Sequence, residues 1–239
     1  MTLEEAVRRL MARDSVLVAV DFDGTLAPIV DHPDHAAPDQ RAMSALACIA
    51  ARRGVEVAIV SGRSTLDLER KLGGSTGFTL VGEHGNDLGA EVTAHPLVAE
   101  AQAMVGALAE PMEGATVEHK PSSVTLHYRN VEPGLVPELL GRVKDWAAGH
   151  QELSLLEGKD VIELSAGTRT KGDAVRDLAN QGAGVIYIGD DITDETVFEV
   201  LGDADVAIKV GSGPTAAKFR VESVSDVVAI LEMIALASR

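Results

Sequence analysis

Cysteine and aromatic residues are scarce in this chain of 239 residues. Cys48 is the single cysteine, so no disulfide can form within the chain, and nothing favours an oxidising compartment. It lies among apolar residues on a helical pattern, which predicts a buried structural thiol. Aromatic residues make up 3% of the chain against 46% hydrophobic residues, so the core must consist mostly of Val, Leu, Ile and Ala.

Positive charge is also in short supply. The chain has 21 Lys and Arg residues against 37 Asp and Glu residues, and its formal net charge is −16. Such a chain repels nucleic acids and anionic membranes, so we expect neither as a partner. It also repels a phosphorylated substrate at long range. An anionic substrate would therefore need a local cation, which is either a metal ion or a placed Lys or Arg.

Long hydrophobic runs are absent as well. The apolar runs have the length of a strand, far below the roughly 20 residues that cross a bilayer. The first residues, MTLEEAVRRLMARD, are charged throughout and lack the apolar stretch of a signal peptide. We expect a cytoplasmic protein, and we expect it to be a monomer.

Short apolar runs alternate with amphipathic segments over much of the chain. The runs predict strands at 16–20, 55–60, 78–81, 185–188 and 205–210, and the segments between them predict helices. This alternation predicts a parallel sheet covered on both faces. The active site of such a sheet lies at the carboxyl ends of its strands. Four polar residues fall at the carboxyl ends of predicted strands: Asp21, Ser61, Glu83 and Asp190.

The middle of the chain departs from this rhythm. Between about residues 90 and 164 the pattern predicts two pairs of strands joined by a helix, which is typical of a small antiparallel α+β insert. We therefore expect an α/β catalytic core made of residues 1–88 and 165–239, with an inserted α+β cap at 89–164.

The segment DFDGT places two carboxylates at the end of the first predicted strand. Asp21 and Asp23 can share one side of the chain, Gly24 permits a sharp turn and Thr25 offers a hydroxyl. Two like charges this close destabilise each other unless a cation neutralises them. Mg²⁺, a hard ion that takes oxygen ligands, suits this arrangement. The simpler interpretation is a strand end with acidic caps.

Three further segments carry candidate residues. GDDITDETVF places Asp190, Asp191 and Asp194 after a predicted strand, where helix capping alone would explain the last two. Lys171 begins a predicted helix, the unfavourable end for a cation unless an anion lies in front of it. Ser61 and the backbone N–H groups after it would form a phosphate cradle, although a plain serine cap is equally compatible with the pattern.

The order of these motifs resembles the haloacid dehalogenase superfamily of aspartate-nucleophile phosphatases. More narrowly, DFDGTLAP, SGR, GEHG, VEHKPSSVTLHYR, KGDAV and YIGDDITDETVF resemble the trehalose-6-phosphate phosphatases across nearly the whole chain. The resemblance implies a Rossmann-like parallel core with an inserted type 2 cap. It also implies Mg²⁺-dependent hydrolysis of trehalose 6-phosphate through an aspartyl phosphate, as a step of trehalose biosynthesis.

The resemblance implies roles for individual residues. The catalytic group would be the nucleophile Asp21, the general acid/base Asp23, and the phosphate-holding Ser61 and Lys171. Metal ligation or its support would fall to Asp21, Asp23, Asp190, Asp191 and Asp194. Substrate binding would fall to Thr25, Gly62, Arg63, Glu118, His119, Lys120, Arg129 and Glu163.

One departure from the family pattern keeps two alternatives open. After Leu164 the family commonly has Arg-Pro, whereas this chain has Ser165 and Ala166. A related phosphatase of sucrose 6-phosphate or mannosyl-3-phosphoglycerate therefore remains an alternative. The other alternative is a catalytically silent binding module on the same fold, against which the intact Asp21, Asp23, Lys171 and Asp190 argue.

Overall fold

The structure is a computed structural model that describes residues 1–74, 77–87, 96–158, 160–166, 169–179 and 182–236. The chain forms two compact units, Met1–Gly89 with Arg169–Arg239, and Ala90–Thr168. The first boundary that the sequence predicts, between residues 88 and 89, lies outside the described residues. The second, between 164 and 165, falls one residue before the end of a strand. That the inserted unit serves as a cap stays a prediction.

The first unit is built on a six-stranded parallel sheet. Its strands are β1 (Val16–Val20), β2 (Val55–Val60), β3 (Thr79–Val81), β8 (Gly184–Gly189), β9 (Val206–Val210) and β10 (Phe219–Val221). Their order across the sheet is β10-β9-β8-β1-β2-β3, and every adjacent pair is parallel. The predicted α/β class with a parallel sheet is confirmed. Because β1 lies between β8 and β2, its carboxyl end is at the centre of the sheet edge.

The central strand contributes to two hydrophobic cores. Val16, Val18 and Val20 pack into the core on one face of the sheet, whereas Leu17 and Ala19 pack into the core on the other face. Side chains alternate along a strand, so a strand buried on both faces must be apolar at every position. The sequence VLVAV meets this requirement, and all five residues are buried.

Six α-helices accompany this sheet within the described residues of the first unit. They are α1 (Leu3–Met11), α2 (Gln40–Ala50), α3 (Thr65–Lys71), α6 (Lys171–Leu178), α7 (Ile192–Val200) and α8 (Val224–Leu236). The alternation of apolar runs did not predict α1, which begins with a capping box between Thr2 and Glu5. It also missed β10, which is only three residues long. None of the helices in the described ranges is long and apolar enough to span a bilayer.

The expectation of a buried thiol is wrong. Cys48 is exposed on α2, whereas Leu46 and Ile49 on the same helix are fully buried. Neighbouring residues of a helix are 100° apart, so a residue between two buried positions can face outward. Apolar neighbours in sequence did not determine which side of the helix Cys48 occupies.

The described part of the second unit is an antiparallel sheet with two helices. The strands β4 (Thr116–His119), β5 (Ser123–His127), β6 (Ser154–Gly158) and β7 (Val161–Ser165) have the order β4-β5-β7-β6. Helices α4 (Pro96–Ala109) and α5 (Val136–Ala148) supply the core together with the strand residues Val124, Leu126, Ile162 and Leu164. The opposite face of this sheet carries its polar residues.

Candidate active site

Three carboxylates meet where strands β1 and β8 end. Asp21 directly follows β1, and Asp190 directly follows the neighbouring strand β8. Asp194 comes from the first turn of α7. One oxygen of each side chain lies within 4.8 Å of the others. The parallel pairing explains this meeting, because the carboxyl ends of parallel strands share one edge of the sheet.

A buried lysine lies between two of these carboxylates. Lys171 is 2% exposed, and its Nζ donates hydrogen bonds of 2.8 Å to Asp21 Oδ1 and to Asp194 Oδ1. Burial alone would lower the pKa of this ammonium group, but the charges of Asp194 and Asp21 outweigh burial and raise it. Lys171 therefore stays protonated at the unfavourable first turn of α6 because two anions stand in front of it.

Protein donors already occupy both oxygens of Asp194. Its Oδ1 accepts a 2.7 Å hydrogen bond from the Tyr187 hydroxyl as well as the one from Lys171, and its Oδ2 accepts one of 2.8 Å from the Asp191 backbone N–H. Burial raises the pKa of the Asp194 carboxyl, but the charge and hydrogen bonds of Lys171 reverse the effect and lower it. The Asp191 carboxylate is engaged in capping α7, where it accepts from the Ile192 N–H at 2.7 Å.

The carboxylates of Asp21 and Asp190 have too little positive charge around them to balance their own negative charge. Burial raises the pKa of the Asp21 carboxyl well above its ordinary value, and although Lys171 opposes this shift, the other carboxylates add to it. Burial likewise raises the pKa of Asp190 to about 6, with Asp194 and Asp191 contributing. One ammonium group does not balance three carboxylates. An all-oxygen donor set with surplus negative charge fits a hard divalent cation.

The turn after β1 lets these carboxylates approach each other. Gly24 has a φ of +77°, and a Cβ added there would lie 2.0 Å from Asp190 Oδ2. Only glycine leaves this space for the Asp190 carboxylate. The fully buried Thr25 places its hydroxyl 3.5 Å from Asp190 Oδ1, at the outer limit of a hydrogen bond.

Arg63 holds the carboxylate of Asp23. Its Nε donates to Asp23 Oδ2 at 2.7 Å and its Nη2 to Asp23 Oδ1 at 2.8 Å, a two-pronged pair of the strong kind. A third bond of 2.7 Å, from Nη1 to Asp67, anchors the guanidinium group to α3. Burial alone would lower the pKa of the Arg63 guanidinium group, but the hydrogen bonds to Asp23 and Asp67 outweigh burial and raise it. The Asp23 side chain is therefore directed to Arg63.

Ser61 directly follows β2, a strand that pairs with β1. It is 1% exposed, and its Oγ accepts a hydrogen bond of 3.2 Å from the Arg63 N–H. The next helix, α3, begins only at Thr65 and is capped by Ser64, so Ser61 itself is not the helix cap. Gly62 lies against His84: a Cβ at this glycine would be 2.5 Å from the imidazole Cε1.

A strained turn after β3 supports this segment. Glu83, His84 and Gly85 have φ values of 48°, 56° and 108°, three consecutive left-handed positions. The Glu83 N–H donates to the Arg63 carbonyl at 2.9 Å, and the His84 N–H donates to the Ser61 carbonyl at 3.0 Å. Such strain persists only where the surrounding structure enforces it, and it concentrates at functional sites.

The same turn also reaches the approach to α6. The Asn86 side chain exchanges two hydrogen bonds of 3.3 Å with the backbone of Arg169, two residues before Lys171. Asp87 accepts bonds of 2.7 Å from the N–H and the hydroxyl of Thr65 in α3. The turn thus connects the segment after β2 with the start of α6.

A second buried lysine contacts the turn between β8 and α7. Lys209, 5% exposed, donates from Nζ to the backbone carbonyl of Asp190 and, at 3.4 Å, to that of Asp191. Its nearest ion-pair partner is Glu195, whose Oε1 lies 3.9 Å away. Lys209 therefore supports the segment that carries Asp190.

In the second unit, polar residues form a row across three strands. Glu118 on β4 pairs with Thr125 on β5, which pairs with Glu163 on β7, so all three share one face of the sheet. Lys120 Nζ donates to Glu163 Oε2 at 3.1 Å, and the Thr125 hydroxyl donates to the same oxygen at 2.7 Å. Lys120 and Glu163 are both 8% exposed, so this is a buried ion pair.

The other candidates of this unit lie in different surroundings. Glu118 is half exposed and lies 3.3 Å from the His127 ring. Arg129, also half exposed, donates to Asp160 at 3.2 Å. His119 is exposed and pairs with Val124, so it occupies the row that alternates with the polar one. Of the predicted sugar-binding residues, the structure brings Lys120 and Glu163 into direct contact.

Sequence reasoning missed several residues of these two sites: Tyr187, Lys209, Asn86, Asp87 and Thr125. Tyr187 and Lys209 lie inside the apolar runs VIYI and DVAIKV, where a polar group in a strand buried on both faces requires a partner. That requirement was the available signal. Asn86 and Asp87 act through a turn whose path the sequence pattern did not indicate.

Known proteins resemble this chain over most of its length. The family described as Trehalose-phosphatase matches residues 19–225. Trehalose-phosphate phosphatase of Mycobacterium marinum is 38% identical over 231 residues, which cover 86% of this chain and 58% of that protein. The bifunctional trehalose-6-phosphate synthase/phosphatase of Thermoproteus tenax is 35% identical over 91% of this chain and 32% of its own length. The chain thus spans little more than half of the mycobacterial relative.

Solved structures share the fold. A crystal structure described as a trehalose-6-phosphate phosphatase related protein has a TM-score of 0.80 and 27% identity, and the match covers 92% of this chain and 97% of that one. The C-terminal domain of a Candida albicans trehalose-6-phosphate phosphatase has a TM-score of 0.82 at 23% identity, with 98% and 97% covered. The expected fold class, a haloacid dehalogenase-like parallel core with a separate α+β unit, is confirmed.

Proposed function

Because the chain belongs to the trehalose-phosphatase family, we propose that it hydrolyses trehalose 6-phosphate to trehalose and phosphate with the help of Mg²⁺. The observation that carries the proposal is the buried Lys171, which lies between Asp21 and Asp194. A phosphate monoester is anionic, and the chain as a whole has a net charge of −16. A fixed cation at the strand ends gives such a substrate a place to bind.

The metal ion would be held by Asp21 and Asp190. Their raised pKa values come from burial and from the crowding of carboxylates. A divalent cation bound between them would stabilise the ionised carboxylates and so oppose both effects. When bound, Mg²⁺ supplies positive charge that stabilises the phosphoryl oxygens during transfer. Asp194 supports this site by fixing Lys171, since each of its oxygens already accepts hydrogen bonds from the protein.

The reaction proceeds in two steps through the chain's own carboxylates. An oxygen of Asp21 attacks phosphorus as the bond to the sugar oxygen breaks, which leaves an aspartyl phosphate. Asp23 gives a proton to the departing sugar oxygen and then takes one from the water that cleaves the intermediate. Lys171 and Ser61 bind the phosphoryl oxygens, and Lys171 also orients Asp21 through its Oδ1.

Arg63 sets the orientation of the Asp23 carboxylate. Both of its oxygens accept hydrogen bonds from Arg63. Each oxygen keeps a second lone pair, on which it can hold the proton that it gives to the sugar. Arg63 therefore sets the orientation from which Asp23 begins, rather than binding the substrate directly.

We assign recognition of the sugar to the polar face of the second unit. Glu118, Lys120 and Glu163 share that face with Thr125 and supply charged donors and acceptors for sugar hydroxyls. Arg129, which binds Asp160, and His119, on the alternate row, are weaker candidates. Residence in the cytoplasm and a monomeric state stay predictions.

Phosphate release from a panel of sugar phosphates tests the proposal. Trehalose 6-phosphate should be hydrolysed fastest with Mg²⁺, and excess EDTA should abolish activity. Asp21→Asn should remove multiple turnover while the protein stays folded, because an amide cannot attack phosphorus. Full activity in metal-free protein would refute the Mg²⁺ assignment, and turnover by the variant would refute Asp21 as nucleophile.

The panel also addresses the position where the chain differs from its family. Ser165 and Ala166 stand in place of the common Arg-Pro, and both contact the Ser122 carbonyl within the second unit. If sucrose 6-phosphate or mannosyl-3-phosphoglycerate is the better substrate, the chemistry holds and the sugar assignment is wrong. If no ester is hydrolysed with Mg²⁺, the chain is a binding module.

A further inference from the structure

Lys209 occupies an unusual place for a charged residue. It is the fourth residue of β9, a strand whose five residues are all buried, and it pairs in register with Gly189 at the end of β8. Burying an ammonium group is costly unless its donors are satisfied. A lysine maintained in such a strand therefore needs a specific set of acceptors.

The main acceptors are backbone carbonyls rather than carboxylates. Lys209 Nζ donates to the carbonyl of Asp190 and to that of Asp191, the two residues of the turn between β8 and α7. The nearest carboxylate oxygen, Glu195 Oε1, is 3.9 Å away, beyond hydrogen-bond distance. The hydrogen bonds of Lys209 thus fix the path of the turn.

The turn is restrained from the other side as well. The Asp191 N–H donates to Asp194 Oδ2 at 2.8 Å, and a Cβ on Gly189 would lie 2.3 Å from Asp194 Cγ. With its carbonyls bound by Lys209 and its N–H by Asp194, the turn has one defined path. That path places the Asp190 carboxylate against Gly24 and beside Asp21.

We propose that Lys209 is a positioning residue for the metal site: it holds the Asp190 turn so that the Asp190 carboxylate is ready to bind a divalent cation. The inference rests on the proposed function, which places the cation at Asp21 and Asp190. It concerns binding of the ion by the free protein and does not depend on which phosphate ester is hydrolysed.

Positioning and simple electrostatics predict opposite changes in Mg²⁺ affinity when Lys209 is replaced. Lys209 is a positive charge close to the site of a divalent cation and repels that cation. If this repulsion were its only effect, removing Lys209 would strengthen Mg²⁺ binding. Loss of positioning should weaken binding, and removal of comparable supporting groups around metal ligands weakens affinity about 10- to 100-fold. The sign of the change therefore separates the two roles.

The experiment measures Mg²⁺ affinity without substrate. The Tm of EDTA-treated protein is followed as MgCl₂ is added at constant ionic strength, and Kd is obtained from the stabilisation, which grows as RT ln(1 + [Mg²⁺]/Kd). Lys209→Met should raise Kd at least about tenfold, whereas Lys209→Arg, which keeps the charge and donors, should restore much of the affinity. The matched control is Lys218→Met, which removes an exposed lysine bound to Asp203 and the Gly202 carbonyl.

Each outcome has one meaning. An unchanged or lower Kd in Lys209→Met overturns the proposal, whatever happens to the Tm of the metal-free variant. If Lys209→Met does not fold, Lys209→Gln, which loses the charge but keeps a donor, takes its place with the same criterion. A wild-type protein without any Mg²⁺ response would overturn the metal site itself, and a normal wild-type response with no ester hydrolysed would overturn only the proposed reaction.

Discussion

At the scale of single residues, Arg63 fixes the orientation of Asp23, the carboxylate that we propose for proton transfer. Arg63 binds both oxygens of Asp23 and is anchored in turn by Asp67. The Arg63 side chain is only 12% exposed, so little water competes for these bonds. The guanidinium fork fixes the plane of the carboxylate, which an ammonium group cannot do.

We therefore expect Arg63→Lys to lower kcat/KM with trehalose 6-phosphate by about ten- to hundred-fold, because misplaced catalytic groups cost rates of that order. The loss in kcat/KM, which covers only the steps up to departure of the leaving group, should be smaller with p-nitrophenyl phosphate, whose phenolate leaves without a proton. Kinetics on both esters, with Tm measured to verify folding, check this expectation. Arg176→Lys, which alters an exposed pair with Asp173, serves as the control. Equal losses with both esters would contradict a role for Arg63 through Asp23.

Asp190 provides a pH-dependent prediction. Its native pKa of about 6 lies above the ordinary value of 3.8, so the native state holds this proton more tightly than the unfolded state does. The resulting stabilisation is fully present below about pH 4 and is lost as the pH rises through about 6. An Asn side chain at position 190 does not titrate, so the variant does not lose stability in this way as the pH rises.

In EDTA, Asp190→Asn should thus raise the Tm relative to wild type, by a few degrees at pH 7 and by less at pH 4.5. Adding Mg²⁺ at pH 7 should reverse the order, because only the wild type keeps the carboxylate ligand. Thermal melts at both pH values, with and without metal, provide the measurement. A Tm difference independent of pH would show that Asp190 is ionised throughout.

At the scale of elements, the turn after β3 ties the segment after β2 to the start of α6. Gly85, at φ +108°, lies so close to α6 that a Cβ would be 2.5 Å from the Thr170 carbonyl oxygen. Gly73 has a similar φ of +78°, but its Cβ would meet nothing within 4 Å. Comparing substitutions at the two glycines therefore separates the effect of backbone strain from the effect of close packing.

Gly85→Ala should lower both stability and kcat, because the clash displaces Thr170 and with it Lys171. Gly73→Ala should cost only the strain of a left-handed alanine, about 1 kcal/mol, and leave kcat unchanged. Denaturant unfolding and steady-state kinetics of the two variants make the comparison. If both lose the same stability and keep full kcat, the turn has no influence on Lys171.

The sheet of the second unit offers another matched pair. Glu118 and Glu157 are both about half exposed, each with a basic neighbour, but only Glu118 lies in the proposed sugar-binding row. Glu118→Ala should reduce kcat/KM for trehalose 6-phosphate by about 10- to 100-fold, which is the loss expected when a hydrogen bond to a charged group is removed. Glu157→Ala should have little effect.

Neither substitution should affect p-nitrophenyl phosphate, which carries no sugar. Steady-state kinetics of wild type and both variants on the two substrates supply the four comparisons. A loss for Glu118→Ala that is equal on the two substrates would place its effect outside sugar recognition.

Hydrophobic alternation was sufficient to predict most elements, because a strand buried on both faces needs an unbroken apolar run. It also placed Asp21 and Asp190 at strand ends, where topology brings them together. It could not reveal Lys209 or Tyr187, whose partners depend on how strands and turns are arranged in three dimensions. The short edge strand β10 and the exposed face of Cys48 were missed for the same reason: neither has a distinct pattern along the chain.

At the scale of the whole molecule, the charge of −16 acts against an anionic substrate. We expect kcat/KM for trehalose 6-phosphate to rise severalfold between about 10 and 100 mM NaCl, because the Debye length falls from about 30 to about 10 Å. The value of kcat should change little, since the proposed site places the bound substrate beside Lys171. Assays at fixed free Mg²⁺ measure this effect. A decrease with salt would mean that local cations dominate the long-range field.

The pairing of β1 with β8 has a consequence for how the protein is made. Asp21 and Lys171 are 150 residues apart, and the whole second unit lies between them in sequence. At roughly 5–20 residues per second, a ribosome needs roughly 8–30 s to travel that distance. Throughout this time the nascent β1 lacks β8, one of its two neighbours, and Asp21 lacks its lysine. Under the proposed mechanism, catalytic competence therefore appears only late in synthesis, and a nascent chain that stops before α6 carries the proposed nucleophile without the lysine that orients it.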